Sequence, residues 1–137
     1  IYSLVHACLM QKPVIAKGRE FRRSFTRAED AATIWRDLVL AKRPKYSIYN
    51  ISGGAAYSLE EVLKALQKAD PTFRYSYARA GQEADVEITP EGQRPALDMQ
   101  RARDEFGFRP AYTLEEGIKS YLVWAREHPD MLRAADQ

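Results

Sequence analysis

The sequence predicts an α/β fold of about five helices and several short strands. Apolar residues recur at three- and four-residue spacing in five stretches, the signature of helices with one buried face. Short β-branched or period-two runs separate them, as strands do. Proline or glycine closes nearly every stretch, so the elements are short. The 137 residues are 45% hydrophobic and 29% charged, the balance of an ordinary globular chain, and residues 1–137 are read as a single domain.

The elements follow in order. Tyr2, Leu4, Val5, Cys8 and Leu9 share one helical face, and Pro13 ends that helix. Pro13 to Ala16 reads as a short strand, Gly18 as a turn, and Phe21 to Thr26 as a short extended segment. Glu29 and Asp30 open a helix reaching about Lys42, with Ala31, Ile34, Trp35, Leu38 and Val39 as its apolar positions. Acids at its start and bases at its end suit the helix dipole. Tyr46 to Ile51 is aromatic and β-branched, and Gly53-Gly54 follows soon after, so a strand is predicted there. Ser58 with Glu61 forms a capping box for a helix bearing Leu59, Val62, Leu63 and Leu66. Phe73, Tyr75 and Tyr77 alternate with polar residues as in a half-buried strand, and Val86 to Thr89 suggests another. Asp98 is placed to cap a helix over Met99 to Phe106, which Gly107 ends. Thr113 and Glu116 form a second capping box, and Leu114, Ile118, Tyr121, Leu122 and Ala125 form the buried stripe of the last helix.

Composition narrows the function. The net charge is +2, with bases and acids interspersed, which argues against nucleic acid as a partner. The densest basic stretch, Lys17, Arg19, Arg22, Arg23 and Arg27, reads either as a solvated loop or as an anion site. One cysteine excludes an internal disulfide and a cysteine-cluster metal site, and His6 and His128 stand far apart, so no metal is expected. No apolar run approaches the roughly 20 residues of a membrane span, no basic-then-apolar leader opens the chain, and a cytoplasmic protein is expected. The chain opens on Ile1 inside a helical segment, which predicts a processed or partial product.

The usual catalytic constellations are missing. Gly53-Gly54 is the one glycine pair and lacks a third glycine for a dinucleotide loop. The pairs Glu60-Glu61 and Glu115-Glu116 sit in first helical turns, where they cap. None of the eight tyrosines is followed four residues later by lysine; Tyr75 with Arg79 comes nearest.

Five groups of residues, in order, nonetheless form a pattern. They are Phe21-Arg22-Arg23-Ser24-Phe25 with Asp30 after it, Tyr49-Asn50-Ile51-Ser52-Gly53-Gly54, Ser58-Leu59-Glu60-Glu61, Phe106-Gly107-Phe108 with Pro110, and Leu114-Glu115-Glu116-Gly117. This series resembles the C-terminal part of the extended short-chain dehydrogenases/reductases, the NAD-dependent epimerase/dehydratase family. Ser24 stands where that family has aspartate.

The resemblance implies a Rossmann-type parent that binds NAD or NADP in an N-terminal half this sequence lacks, and a nucleotide-sugar substrate closed over by the C-terminal part. It implies no catalytic, cofactor-binding or metal-binding residue here, and hence a chain inactive alone. It points to Arg23 as a ligand of the substrate diphosphate, and to a second arginine after the late strand, Arg79 or alternatively Arg94. Tyr46 to Ile51 would join the parent's Rossmann sheet. Apolar faces left uncovered would be met by self-association, as a homo-oligomer, or by the missing half. The rival readings are a free-standing nucleotide or anion-binding module, and a structural, oligomer-forming remnant.

Overall fold

The computed structural model describes residues 1–130. In chain order the elements are α1 (Tyr2–Leu9), β1 (Val14–Lys17), β2 (Arg22–Ser24), α2 (Ala28–Leu40), β3 (Ala56–Ser58), α3 (Leu59–Ala69), β4 (Tyr75–Tyr77), β5 (Val86–Glu87), α4 (Gln100–Phe106) and α5 (Leu114–Glu127). The α/β class therefore holds. Strands β4, β1 and β5 form a parallel sheet in that order, with Val14 opposite Tyr75 and Ala16 opposite Val86. Strands β2 and β3 form an antiparallel pair, with Arg22 opposite Ser58 and Ser24 opposite Ala56. Because the three-stranded sheet is parallel, the segments leaving β1, β4 and β5 emerge at one edge. Open α/β sheets bind ligands at that carboxyl edge.

One apolar core joins α1, α3 and α5 to the parallel sheet. Leu4, Val5 and Cys8 enter it from α1, Leu59, Val62, Leu63 and Leu66 from α3, and Ile118, Leu122 and Ala125 from α5. Val14 and Ala16 of β1 and Phe73 complete it. Burying one such large side chain contributes about 1.5–3 kcal/mol before entropy is counted. Burial, and after it the neighbouring Asp70, pushes the Cys8 thiol up to about 11. The cysteine is thus a neutral core filler. A second, smaller cluster gathers Ile34, Met99, Ala102 and Phe108 between α2 and α4.

Both predicted capping boxes are present. Ser58 Oγ accepts from Glu61 N while Glu61 Oε2 accepts from Ser58 N, and Thr113 and Glu116 do the same. Gly107 ends α4 in the left-handed conformation, φ 65°. Asp98 sits one residue before the cap position, held by Met99, and its Oδ1 accepts from Gln100 N at 2.9 Å.

The strand predicted over Tyr46 to Ile51 does not form: the segment runs without a ladder partner among the described residues. β-propensity cannot replace a neighbouring edge, and side chains serve this backbone instead. Tyr46 N donates to Tyr49 Oη, Arg101 Nη1 donates to Ile48 O, and just beyond the segment Ser52 N approaches Met99 Sδ; the Asn50 side chain in turn donates from Nδ2 to Asp98 O. Conversely β3, three residues with no readable period, pairs with β2. Trp35, Val39 and Leu40 of α2, together with Ile48, remain 62–78% exposed. Among the described residues no helix is long and apolar enough to cross a membrane.

Candidate anion site

Strand β2 presents its arginines alternately, as a pleated strand must. Arg22 is compensated: Nη2 lies 3.0 Å from Glu61 Oε2 and Nη1 donates to Ala56 O at 2.6 Å. Arg23 is exposed and is held differently, its Nε donating to the Gly92 carbonyl at 2.6 Å. That carbonyl belongs to the turn that follows β5. Gly92 N donates to Thr89 O and Gln93 N to Pro90 O, closing the turn. The turn is strapped to β2, because Arg94 N donates to Arg22 O at 2.8 Å and Arg22 N to Gln93 Oε1 at 3.3 Å. Arg94 Nη1 then donates to Glu91 O and Gln93 O, both at 2.8 Å.

The structure thus brings Arg23 and Arg94 to one turn. Both rest on carbonyl oxygens, and among the described residues neither guanidinium pairs with a carboxylate. Carbonyls orient a guanidinium without neutralising it, so the turn carries two positive forks open to an anion. Arg79 is placed apart, in the loop after β4, where its backbone N donates to Gln82 Oε1. A cavity of about 560 Å³ lies there, lined by Ser76, Tyr77, Arg79, Ala80, Gly81 and Gln82. Between these regions Arg19 grips Glu60 with two hydrogen bonds of 2.8 and 2.7 Å and lies over the Tyr77 ring. Hydrogen bonds from Arg19, then from Lys64, draw the Glu60 carboxyl down to about 2. Arg19 is therefore spent, whereas Arg23 stays exposed and without a carboxylate partner among the described residues.

A larger cleft, about 690 Å³, lies between the start of α2 and α5, with Phe25, Tyr57, Tyr112, Tyr121 and Trp124 in its walls. Arg27 crosses it. Its Nη2 donates to Glu29 Oε1 at 2.6 Å and to Ser120 Oγ at 2.8 Å, and its guanidinium lies 3.8 Å from the Tyr112 ring centre. Asp30 is buried nearby and accepts from Ala111 N at 3.1 Å. Sequence reading missed this arrangement, and missed Gly92 too, because the contacts to Ser120, Tyr112, Ala111 and Gly92 join segments tens of residues apart. Only the basic stretch itself hinted at Arg27.

The glycine pair does not make a cofactor cradle. A Cβ on Gly53 would fall 2.0 Å from Phe25 O, so this glycine lets two backbones pass closely. Gly54, at φ 85°, turns the chain into strand β3 rather than into a helix N-terminus. The pair is occupied by packing and does not fit a dinucleotide diphosphate, which wants amides at a helix start.

No family model matches the chain. Over 116 residues it is 27% identical to dTDP-glucose 4,6-dehydratase of Xanthomonas campestris pv. campestris, an alignment covering 82% of this chain and 32% of that protein. Its fold superposes on Bordetella bronchiseptica WbmF, solved with NAD+ and UDP, with a TM-score of 0.70 at 17% identity over 98% of this chain and 38% of the other. The chain has the fold of part of an extended short-chain dehydrogenase/reductase. It also superposes on the GalE-like L-threonine dehydrogenase of Cupriavidus necator, with a TM-score of 0.68 at 19% identity over 88% of this chain and 43% of that one. The chain spans under half the length of each of these proteins, so what the whole proteins do is not thereby its own.

Proposed function

We propose that the chain is the substrate-binding part, a single domain, of an NAD(P)-dependent sugar-nucleotide epimerase, dehydratase or reductase, without catalysis of its own. The observation carrying this reading is the pair of carboxylate-free guanidinium groups, Arg23 and Arg94, on the turn after β5 at the sheet's carboxyl edge. A guanidinium fork meets two oxygens of a diphosphate with parallel, charge-assisted hydrogen bonds, which a lysine ammonium cannot do. In this reading Arg79, which lines its own cavity beyond β4, meets another part of the same ligand. The fold alone does not separate a sugar nucleotide from an amino acid, since a threonine dehydrogenase shares it. The sequence likeness to a dTDP-glucose dehydratase supports the former, as does the UDP held by WbmF. In this reading the nicotinamide cofactor and its hydride chemistry are assigned to the parent, and no residue of this chain carries a chemical step. A cytoplasmic setting belongs to the same reading.

The test is calorimetric titration of the chain with UDP and with inorganic pyrophosphate. Arg23→Ala should weaken both about tenfold, the effect of losing a charge-assisted contact, and added salt should weaken the unmodified chain as well. Binding indifferent to Arg23, Arg94 and Arg79 alike would remove the reading. A second reading, self-association, is favoured by the exposed Trp35, Val39, Leu40 and Ile48. Sedimentation showing only monomer at high concentration would dismiss it.

A further inference from the structure

We infer that Gly92 is a positioning residue for the anion site: its missing side chain is the seat on which the Arg23 guanidinium is held ready for phosphate. The inference rests on the reading of Arg23 as a phosphate ligand. A Cβ built on Gly92 would lie 2.7 Å from Arg23 Nη2, while its next neighbours, Thr89 O and Oγ1, stand at an ordinary 3.4 Å. The Gly92 backbone is not in the left-handed region, since the glycines of positive φ are Gly18, Gly54, Gly81 and Gly107. Conformational freedom is therefore not what the position needs. It needs room for one group, and that group is the end of Arg23.

The hydrogen bonding fits. Arg23 Nε is anchored on Gly92 O, from a residue 69 positions away in the chain, and Nη2 stands 2.7 Å from where a Gly92 Cβ would be. The hydrogen bond from Nε, with Nη2 filling the space a side chain at position 92 would take, orients the guanidinium. An arginine free in solvent loses rotamer entropy on gripping a ligand, and a guanidinium already oriented loses less of it. The turn holding Gly92 is in turn fixed to β2 through Arg94 N and Gln93 Oε1. Seat and guanidinium therefore move as one unit, and Arg94 is carried on the same turn.

Gly92→Ala makes a clean test, because the atom it meets is the far end of a flexible side chain. The fold survives and only the guanidinium is displaced. The chain would be titrated with inorganic pyrophosphate as four proteins: unmodified, Gly92→Ala, Arg23→Ala and both together. The expected result is a loss of about three- to tenfold for Gly92→Ala in the presence of Arg23 and none in its absence. The Arg23 Nε–H resonance in a 15N correlation spectrum should shift or vanish in Gly92→Ala, while backbone amides beyond the turn stay in place. An equal loss from Gly92→Ala with and without Arg23 would mean a merely structural glycine and would overturn the inference. So would full affinity in Gly92→Ala when Arg23→Ala weakens binding, which leaves the phosphate reading intact. Unchanged binding in Arg23→Ala would bring down the phosphate reading itself, and the inference with it.

Discussion

Arg23 and Arg27 stand four residues apart in the same basic stretch, yet the fold treats them as opposites. Arg27 points into the aromatic cleft, leaves 20% of its side chain exposed, pairs with Glu29, donates to Ser120 and lies on the Tyr112 ring. Its charge is paired with Glu29, while its Nη1 is buried without a hydrogen-bond partner among the described residues. Arg23 lies on the surface against a carbonyl, oriented but not neutralised. The difference teaches that an arginine's availability is set by what faces it rather than by its place in a motif. One cation holds α2 to α5; the other is free to hold something else.

The comparison breaks most severely at the residue beneath the segment linking the two arginines. Gly53→Ala would drive a methyl into Phe25 O, a backbone atom that cannot swing away. We expect a loss of about 3 kcal/mol, read by urea unfolding, with both arginines displaced. Arg23→Ala comes next, about tenfold weaker for pyrophosphate with an unchanged unfolding midpoint, because the side chain is exposed and leaves no buried partner behind. Arg27→Ala should do the reverse, costing about 1 kcal/mol through the lost ring contact and hydrogen bonds and leaving pyrophosphate affinity alone. If Arg27→Ala weakened pyrophosphate as much as Arg23→Ala, the contrast between them would collapse.

The smallest effect belongs to a third arginine, Arg19, through its partner. The Glu60 carboxyl is held at about 2 in the folded chain against an ordinary 4.5. A depressed folded value means that the stabilisation is fully present above 4.5 and is lost as the pH falls towards 2. Glu60→Gln should therefore lower stability slightly at neutral pH, where the exposed ion pair contributes, and converge with the unmodified chain as the pH falls towards 2, so that its fall across that window is flatter. A pH-stability profile with the same slope in both proteins would show that the ion pair contributes nothing.

Local rules made the helices legible. Capping boxes at Ser58 and Thr113 and the glycine stop at Gly107 involve residues within a turn of one another, and the structure repeats them. Strands were less legible because a ladder needs a second segment. Tyr46 to Ile51 has the composition of a strand but finds no edge, whereas Ala56–Ser58 has little strand character and finds β2. At the site, the basic stretch marked Arg23 among five cations, and resemblance to a family pattern singled it out. Its seat on Gly92, its company with Arg94 and the separation of Arg79 could not be read from spacing.

The sequence by itself determined the α/β class, the five helical stretches and their ends, since helical hydrogen bonds and caps join residues three or four apart. Only the tertiary structure decided which arginine is neutralised and which is left available. A side chain's electrostatic neighbours come from segments brought together by burial of the apolar core, and that proximity is written in no local stretch of the chain.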